Sequence, residues 1–389
     1  MGEKKYQITY ETLRMEILSG KYSRRNTFPS VMAIVRRFGI SRLTAVKVLD
    51  LLKGDGLVYA RSGAGTFVSR QGVCRRIGLI LPGIVPCSEY FHPIVSEMTR
   101  LAQTEAFELR LGNIYSQDVK ARTHEVRELA ATFIREKVAG VIYQPIEYVD
   151  DAEDVNVRIL SALTKAKIPV VLLDSDILPP PGRSQYDLVT IDNADAGERI
   201  ADHLFERGAV NVHFFRYPET LSTVAKRLRG VIASSVRHGH TWTDSHVLVA
   251  QPEDKIRIRS HLRKKPRPDA FVCANDTMAA ILLRTLSELR VSVPNDVMLA
   301  GFDDIQLARL TTPPLTTIRQ PCAQIAETAF RRLVDRVAHP GLPPICISLP
   351  APLVVRGSTG RPHTRAAAGS GKRHPNKAAR PKHPRGICT

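Results

Sequence analysis

Six cysteines are spread through 389 residues, at 74, 87, 273, 322, 346 and 388, and no two form a C-x-x-C pair. Structural zinc sites and redox dithiols are built on such close pairs, so neither is read here. A chain this long has no need of disulfide staples, and free thiols in a reducing compartment are expected. Long apolar runs are also lacking. The longest, IGLILPGIVP at 77–86, holds two prolines and is about half a membrane span. The first residues, MGEKKYQITYETLRMEI, are too charged for a signal peptide. A soluble, cytoplasmic protein with no membrane partner is the expectation.

Motifs of catalysis are missing as well. No G-x-G-x-x-G follows a strand-like run, and GSGKR at 369–373 lacks the Ser/Thr, strand and helix of a phosphate loop. No nucleophile elbow appears. His238 and His240 are the closest histidine pair and have no third metal ligand near them. No enzyme activity, cofactor or metal is therefore expected. No repeat of solenoid length is visible either.

What is present is an uneven charge. Residues 1–70 carry 13 Lys/Arg against 5 Asp/Glu, and residues 357–389 carry 8 against none. The stretch between is nearly balanced, at 35 against 33, although the whole chain is +18. Basic ends on a near-neutral body suit a polyanion, and duplex DNA rewards clustered cations through counterion release. The last segment reads as a basic, disordered tail.

The first seventy residues pattern as three helices and a hairpin. Thr9 is placed to cap a helix running to about Ser19, with Leu13, Ile17 and Leu18 as its apolar stripe. Ser30 caps a second helix, Gly39 ends it, and Ser41 caps a third at once, which is a helix-turn-helix. In the third helix Ala45, Val48, Leu49 and Leu52 recur at i, i+3, i+4, i+7 and define the buried face. Its N-terminal end then presents Arg42, Leu43, Thr44 and Lys47, as a recognition helix does in a major groove. LVYAR and TFVS read as two strands joined by SGAG. A phosphate loop would need a helix after the glycines, and here a strand follows. The glycines serve a tight turn, with Arg61 at the hairpin base aimed at phosphate and Gly63 at the tip free to enter a minor groove.

Residues 28–68 resemble the DNA-binding domain of the GntR family of bacterial regulators. The resemblance rests on the P-S after the first helix, the F-G-x-S-R turn, the L-x-x-x-G-L connection and the G-x-G-T-F wing. It implies major-groove contacts from Ser41, Arg42 and Thr44 and a minor-groove contact from Gly63. The chain departs from the family at Val31-Met32 and at Val46-Lys47, where charged residues are usual.

From residue 75 to 356, apolar runs alternate with amphipathic segments, among them IGLILP, GVIYQP, PVVLLD, LVTID, VHFFRY, AFVCAND and VMLAGFDD. Apolar strands separated by helices make parallel sheets covered on both faces. About 280 residues is large for one such sheet, so two lobes are expected, with the Pro179–Gly182 stretch as the crossover between them. Ligands in such sheets sit beyond the C-terminal strand ends. Asp174, Asp192, Asn275, Asp276, Asp303 and Asp304 stand at those ends. Asp192 reads as a helix cap and Asp303-Asp304 as a turn.

This region is similar to the periplasmic-binding-protein-like sensor of the LacI/GalR regulators. The likeness lies in IPVVLLD, VTIDNADAG, STVAKRLRG, ANDTMA, VPNDVMLAGFDD, LTTPPLTTIRQP and LVVRGST, in that order. It implies two α/β lobes closing on a small effector, expected to be a sugar. Arg227 and Asp276 are then its main polar contacts, Asp174 lies in the cleft, and Phe91 stacks on a sugar face. On the residues alone, Arg227 equally fits a helix bridge and Asp276 a helix N-cap.

The organisation read from the sequence is thus an α/β chain. A GntR-type winged helix spans 1–70, a linker 71–76, a LacI/GalR-type two-lobed effector-binding domain 77–356, and a basic tail 357–389. The combination is similar to that of bacterial arabinose-responsive repressors. It implies a repressor that binds operator DNA as a homodimer and is switched by a small metabolite. The alternative is a cytosolic carbohydrate-binding protein with a degenerate DNA-binding head.

Overall fold

The structure is a computed structural model that describes residues 2–18, 21–22, 27–69, 75–82, 89–105, 107–112, 114, 116, 118–146, 152–178, 182–218 and 222–360. The tail expected at 357–389 lies outside the described residues beyond 360, and so does the linker at 71–74.

The head consists of α1 (Gly2–Leu18), α2 (Val31–Phe38), α3 (Arg42–Gly54) and a hairpin of β1 (Val58–Arg61) and β2 (Gly65–Val68). Helix α1 starts a full turn and more before Thr9. The Thr9 hydroxyl donates back to the Lys5 carbonyl at 2.8 Å, so it sits inside the helix and caps nothing. The other caps form as expected. Ser30 accepts from Ala33 N, Gly39 closes α2 in the left-handed region, and Ser41 accepts from Thr44 N. Leu13, Ile17, Ile34, Ala45, Val48, Leu49 and Leu52 form a buried head core. The hairpin is antiparallel, pairs Val58 with Val68, and is tied back to the head by Phe28 N donating to Thr66 O.

Behind the head stand two six-stranded sheets. The first runs in the order β13-β7-β6-β5-β3-β4 and is parallel throughout. Its strands are β3 (Arg75–Ile80), β4 (Phe107–Leu111), β5 (Gly140–Tyr143), β6 (Val170–Leu173), β7 (Asp187–Ile191) and β13 (Cys346–Leu349). Helices α4 (Phe91–Thr104), α5 (Val119–Arg135) and α6 (Ala152–Lys165) alternate with them. The second sheet holds β8 (Val212–Arg216), β9 (Val247–Val249), β10 (Ala270–Cys273), β11 (Met298–Asp303), β12 (Thr316–Arg319) and β14 (Leu353–Val354), in the order β14-β12-β11-β10-β8-β9. It too is parallel, except for β14, which runs antiparallel to β12. Its helices are α8 (Ser222–Arg237), α9 (Lys255–Leu262), α10 (Asp276–Glu288) and α11 (Gln306–Leu310).

The chain crosses between lobes three times: from β7 to β8 through α7 (Asn193–Glu206), from β12 to β13 through α12 (Cys322–Ala338), and from β13 directly to β14. This corrects the crossover expected at 179–182. That stretch joins β6 to β7, which are neighbours in one sheet. Residues 179–181 themselves lie outside the described residues, and a proline-rich connection between neighbouring strands reads in sequence like one between lobes. The rear domain also extends past 356. Ser358 and Thr359 are fully buried, and Ser358 Oγ donates to Leu299 O at 2.5 Å.

Helices α7 and α8 pack closely enough to align their polar side chains. A Cβ built on Gly230 would lie 2.0 Å from Ala194 O, and one on Gly197 would lie 2.1 Å from Arg227 O. Both neighbours are backbone and cannot swing aside. Gly230→Ala is expected to lower unfolding stability by about 3 kcal/mol, read from chemical denaturation. An unchanged midpoint would mean that the two helices do not approach this closely.

Candidate functional site

On the head, Arg42, Leu43, Lys47, Arg61 and Gly63 are all exposed. Leu43 is 84% exposed, so nothing in the head explains its apolar side chain. The Lys47 ammonium lies 4.2 Å from the centre of the Tyr6 ring, which keeps it against α1. Ser41 and Thr44 hold one another, with hydroxyls 2.8 Å apart, and Ser41 also spends a lone pair on its cap. Their first task is thus to shape the start of α3, and Arg42, Leu43 and Arg61 are the side chains left free to reach outward. Gly63 has φ 72, with open space where a Cβ would stand. Backbone conformation is what demands glycine there, since nothing crowds the position. Met32 and Val46 are 52% and 39% exposed, so the two departures from the family pattern face solvent.

In the rear domain, Arg227 is only 6% exposed. Its Nε donates to Asn193 Oδ1 at 2.9 Å and its Nη1 to Ala274 O at 2.7 Å. The guanidinium lies 4.4 Å over the Phe302 ring, and Nη2 stands 3.6 Å from Asp303 Oδ1. Arg227 therefore joins α7, the end of β10 and the end of β11, and points at an aspartate.

Asp276 departs from the sequence reading. Its side chain is 0% exposed. Oδ1 accepts from the Thr317 hydroxyl at 2.7 Å and Oδ2 from Ile305 N at 3.2 Å, so both oxygens are used inside the lobe. Burial, reinforced by the Asp303 carboxylate, pushes its pKa up to about 8. That shift favours the protonated acid, where the sequence suggested an ionised group facing a ligand. Nor is it the N-cap, because Asn275 accepts from Met278 N.

The carboxylate facing the cleft in that lobe is Asp303, which was read as part of a turn. The turn does exist, with Asp303 at φ 109 and Asp304 at φ 53. Asp304 is the structural half. Its side chain is 1% exposed and pairs with Arg319 at 2.6 Å, with Arg309 at 3.5 Å and with Arg356. These guanidiniums hold its carboxyl below the ordinary range although burial acts the other way. Asp303 instead accepts from Gln320 Nε2 at 2.9 Å.

The other lobe repeats this chemistry. Asp174 follows β6 at φ 65, accepts from Tyr90 Oη at 2.7 Å, and receives Gln144 Nε2 at 3.3 Å. Asp192 caps α7 as expected. Phe91 is 6% exposed and meets Tyr90 edge-on, with ring centres 4.7 Å apart. The structure thus puts Phe91 in the core and Tyr90 at the cleft. Burial and the Asp174 carboxylate, with Cys322 and Asp303 adding to them, push the Tyr90 phenol well up. The same proximity brings groups of both lobes together. Cys322 Sγ approaches Tyr90 O at 3.7 Å, and Leu307 N donates across the lobes to Glu89 Oε2 at 3.3 Å.

Between the lobes lies a cleft of about 470 Å³ lined by Glu89, Tyr90, Asp303, Gln306, Gln320 and Cys322, among others. Gln320 Oε1 beside it and Gln144 Oε1 beside Asp174 are buried acceptors with no hydrogen-bond partner, which is costly.

Comparison with known proteins agrees with the two-part architecture. The profile of bacterial regulatory proteins of the gntR family matches residues 5–68, and that of the periplasmic binding protein-like domain matches residues 201–359. The chain is thus similar to gntR-type regulators at its head and to periplasmic binding protein-like domains in its rear part. It is 28% identical over 365 residues to the arabinose metabolism transcriptional repressor of Geobacillus stearothermophilus, covering 90% of this chain and 97% of that one. It is 28% identical over 322 residues to the transcriptional repressor PurR of Mannheimia succiniciproducens, covering 81% and 89%. Among solved structures, a LacI family regulator from Enterococcus faecalis with bound ribose superposes with a TM-score of 0.59 at 25% identity, over 74% of this chain and 99% of that one. The regulator CelR in complex with cellobiose superposes at 0.61 with 22% identity, over 88% and 99%.

In the sensor, His238 and His240 both stack on Phe205, and His238 also meets Asp202 at 3.1 Å. Among the described residues no three metal-ligating side chains gather, and no helix is long and apolar enough to cross a membrane.

The neutral state of Asp276 has a measurable sign. Its pKa is raised on folding, so its contribution is complete below the ordinary carboxylate range and is lost as pH rises through about 8. Asp276→Asn is expected to fold and to show a flatter stability profile between pH 5 and 8 than the parent. A variant as steep as the parent would mean that Asp276 is ionised in the fold.

Proposed function

We propose that this chain is a ligand-responsive transcriptional repressor of the cytoplasm. It grips operator DNA as a homodimer through α3 and the wing and releases or tightens that grip when a small polyhydroxyl metabolite, a sugar by preference, enters the sensor cleft. That it is a regulator of transcription and no enzyme follows from its two domains and from its repressor relatives. The observation that carries the effector class is a cleft lined by acceptors and donors together, among them Glu89, Asp303, Gln306, Arg309 and Arg319. Asp303 borders the cleft itself, and Asp174 stands behind it on the Tyr90 hydroxyl. A sugar brings several hydroxyl donors at fixed spacing, and a site built on such donors rejects analogues that lack them. The relatives point the same way, one by its arabinose-related name and two structural neighbours by their bound ribose and cellobiose.

On DNA, Arg42 supplies the bidentate donor suited to a guanine edge, Leu43 the apolar surface suited to a thymine methyl, and Arg61 a phosphate contact at the wing. One recognition helix covers a half-site, so two protomers are needed for a full operator.

Two experiments test the two ends separately. A duplex selected in vitro from a random pool by the parent protein should bind Arg42→Ala about tenfold more weakly or worse, while the unfolding temperature of the sensor is unchanged. A thermal-shift screen over sugars, polyols and nucleobases should give a ligand whose stabilisation is lost in Asp303→Ala and kept in Arg42→Ala. If no duplex is enriched but a sugar still stabilises the protein, the chain is a carbohydrate-binding protein with a degenerate head, a reading that exposed Met32 and Val46 would then explain.

A further inference from the structure

The head rests against the first sensor lobe through a compact set of polar contacts. Arg14 of α1 is 9% exposed, and its Nη2 donates to the Lys137 carbonyl at 2.9 Å. The Lys137 ammonium pairs with Asp55, the same carboxylate that receives the Tyr10 phenol. Lys167 pairs with Glu11. Around these contacts Ile8 and Met15 of the head face Ile134, Ile168 and Pro169 of the sensor, with a cleft of about 720 Å³ between them. The joint is thus a polar clamp beside an incompletely packed seam. A guanidinium as buried as Arg14 needs this partner, because a charge taken out of water without one is expensive.

Both halves of the clamp lie at consequential places. Asp55 is the C-cap of α3, so Lys137 holds the end of the recognition helix itself. Lys137 and Lys167 are the left-handed residues, φ 51 and 56, that end the turns after α5 and α6. The next elements in the chain are β5 and β6. These neighbouring strands are fully buried, paired in parallel from Val141–Val170 onward, and only four residues long, about 13 Å. Gln144 follows the far end of β5 and Asp174 the far end of β6. Gln144 donates to Asp174 and Asp174 holds Tyr90 of the cleft, so the two strands support the cleft at one end and carry the anchors of the head at the other.

We propose that this joint sets the angle at which the sensor presents the recognition helix, and that β5 and β6 form the rigid connection between the effector cleft and the DNA face. The docked head makes the sensor lobe, and not the linker, the frame on which half-site spacing is measured. This rests on the DNA-binding reading above only in its second arm.

The first arm needs no DNA. Lys137→Glu places like charges together at Asp55. It should raise deuterium uptake across residues 2–18 and 50–56 and enlarge the radius of gyration in small-angle scattering. Adding Asp55→Lys should reverse both. Lys167→Glu, which opposes Glu11, should loosen the same helix and serves if the first variant folds poorly. The second arm uses the selected duplex and a version with its half-sites moved by about two base pairs. The parent should lose about tenfold in affinity on the altered spacing, a difference that Lys137→Glu should largely erase. Unchanged uptake and scattering in both single variants would overturn the joint. Loosened heads that keep the parent's spacing preference would overturn its role. If no protein binds any duplex, the DNA reading fails while uptake and scattering still decide whether the head is docked.

Discussion

Arg227 is a guanidinium almost wholly removed from water, and much of the sensor is arranged to make that tolerable. Asn193 and the Ala274 carbonyl take two of its donors, Phe302 covers its face, and Asp303 balances its charge. Removing one partner from such a group typically costs 3–5 kcal/mol, because the other charge stays buried and unpaired. The arrangement depends on α7 and α8 touching at Gly197 and Gly230, since any Cβ would push Arg227 away from Asn193. Close helix packing, a paired buried cation and the orientation of the cleft carboxylate are thus one constraint. The same side chain ties α7, which leads in from the first lobe, to strand ends of the second. Any movement of the lobes about α7 is felt at Asp303.

The two lobes answer one another chemically. Each places an aspartate of positive φ at the end of a parallel strand, and each lets a glutamine beyond the neighbouring strand donate its amide to that carboxylate. Positive φ is unfavourable for a side-chain-bearing residue and persists where the surroundings hold it. Here Asp303 borders the cleft and Asp174 meets Tyr90, which borders it too. Tyr90 stands between them, with its hydroxyl on Asp174 and its backbone carbonyl near Cys322. Asp303 meets Arg227 and Asp174 meets Tyr90, so each carboxylate is held by a partner of its own lobe. Coupling of about 1.4 kcal/mol between the cleft and the DNA face would change operator affinity tenfold.

Much of the fold was legible because its signals are local. Caps at Ser30 and Ser41, the breaker Gly39, the four-residue apolar face of α3 and the glycines of the wing each act within a few residues. The apolar strands were visible for the same reason, since burial on both sheet faces leaves no alternation. Thr9 misled because a hydroxyl that bonds its own helix four residues back looks, in sequence, like one that begins a helix. The proline run at 179–182 misled because a chain break does not say which strands it separates. In the site, Arg227 and Asp174 stand just behind the cleft lining, Asp303 and Tyr90 belong to it, and Asp276 and Phe91 are buried. Two carboxylates at adjacent strand ends carry the same local signal. Which of them is roofed by Thr317 and Ile305 depends on elements some 30 to 40 residues away.

The sequence by itself determined that a basic three-helix head with a glycine-tipped wing precedes two parallel α/β lobes. Those features arise from periodicity, capping and turn chemistry, which neighbouring residues settle among themselves. Only the tertiary structure decided which carboxylate is sealed inside a lobe and which borders the cleft, which acceptors are left without partners, and that Lys137 and Lys167 reach the head. Desolvation and ion pairing depend on which atoms surround a charge. For these residues most of those atoms come from parts of the chain far away in sequence.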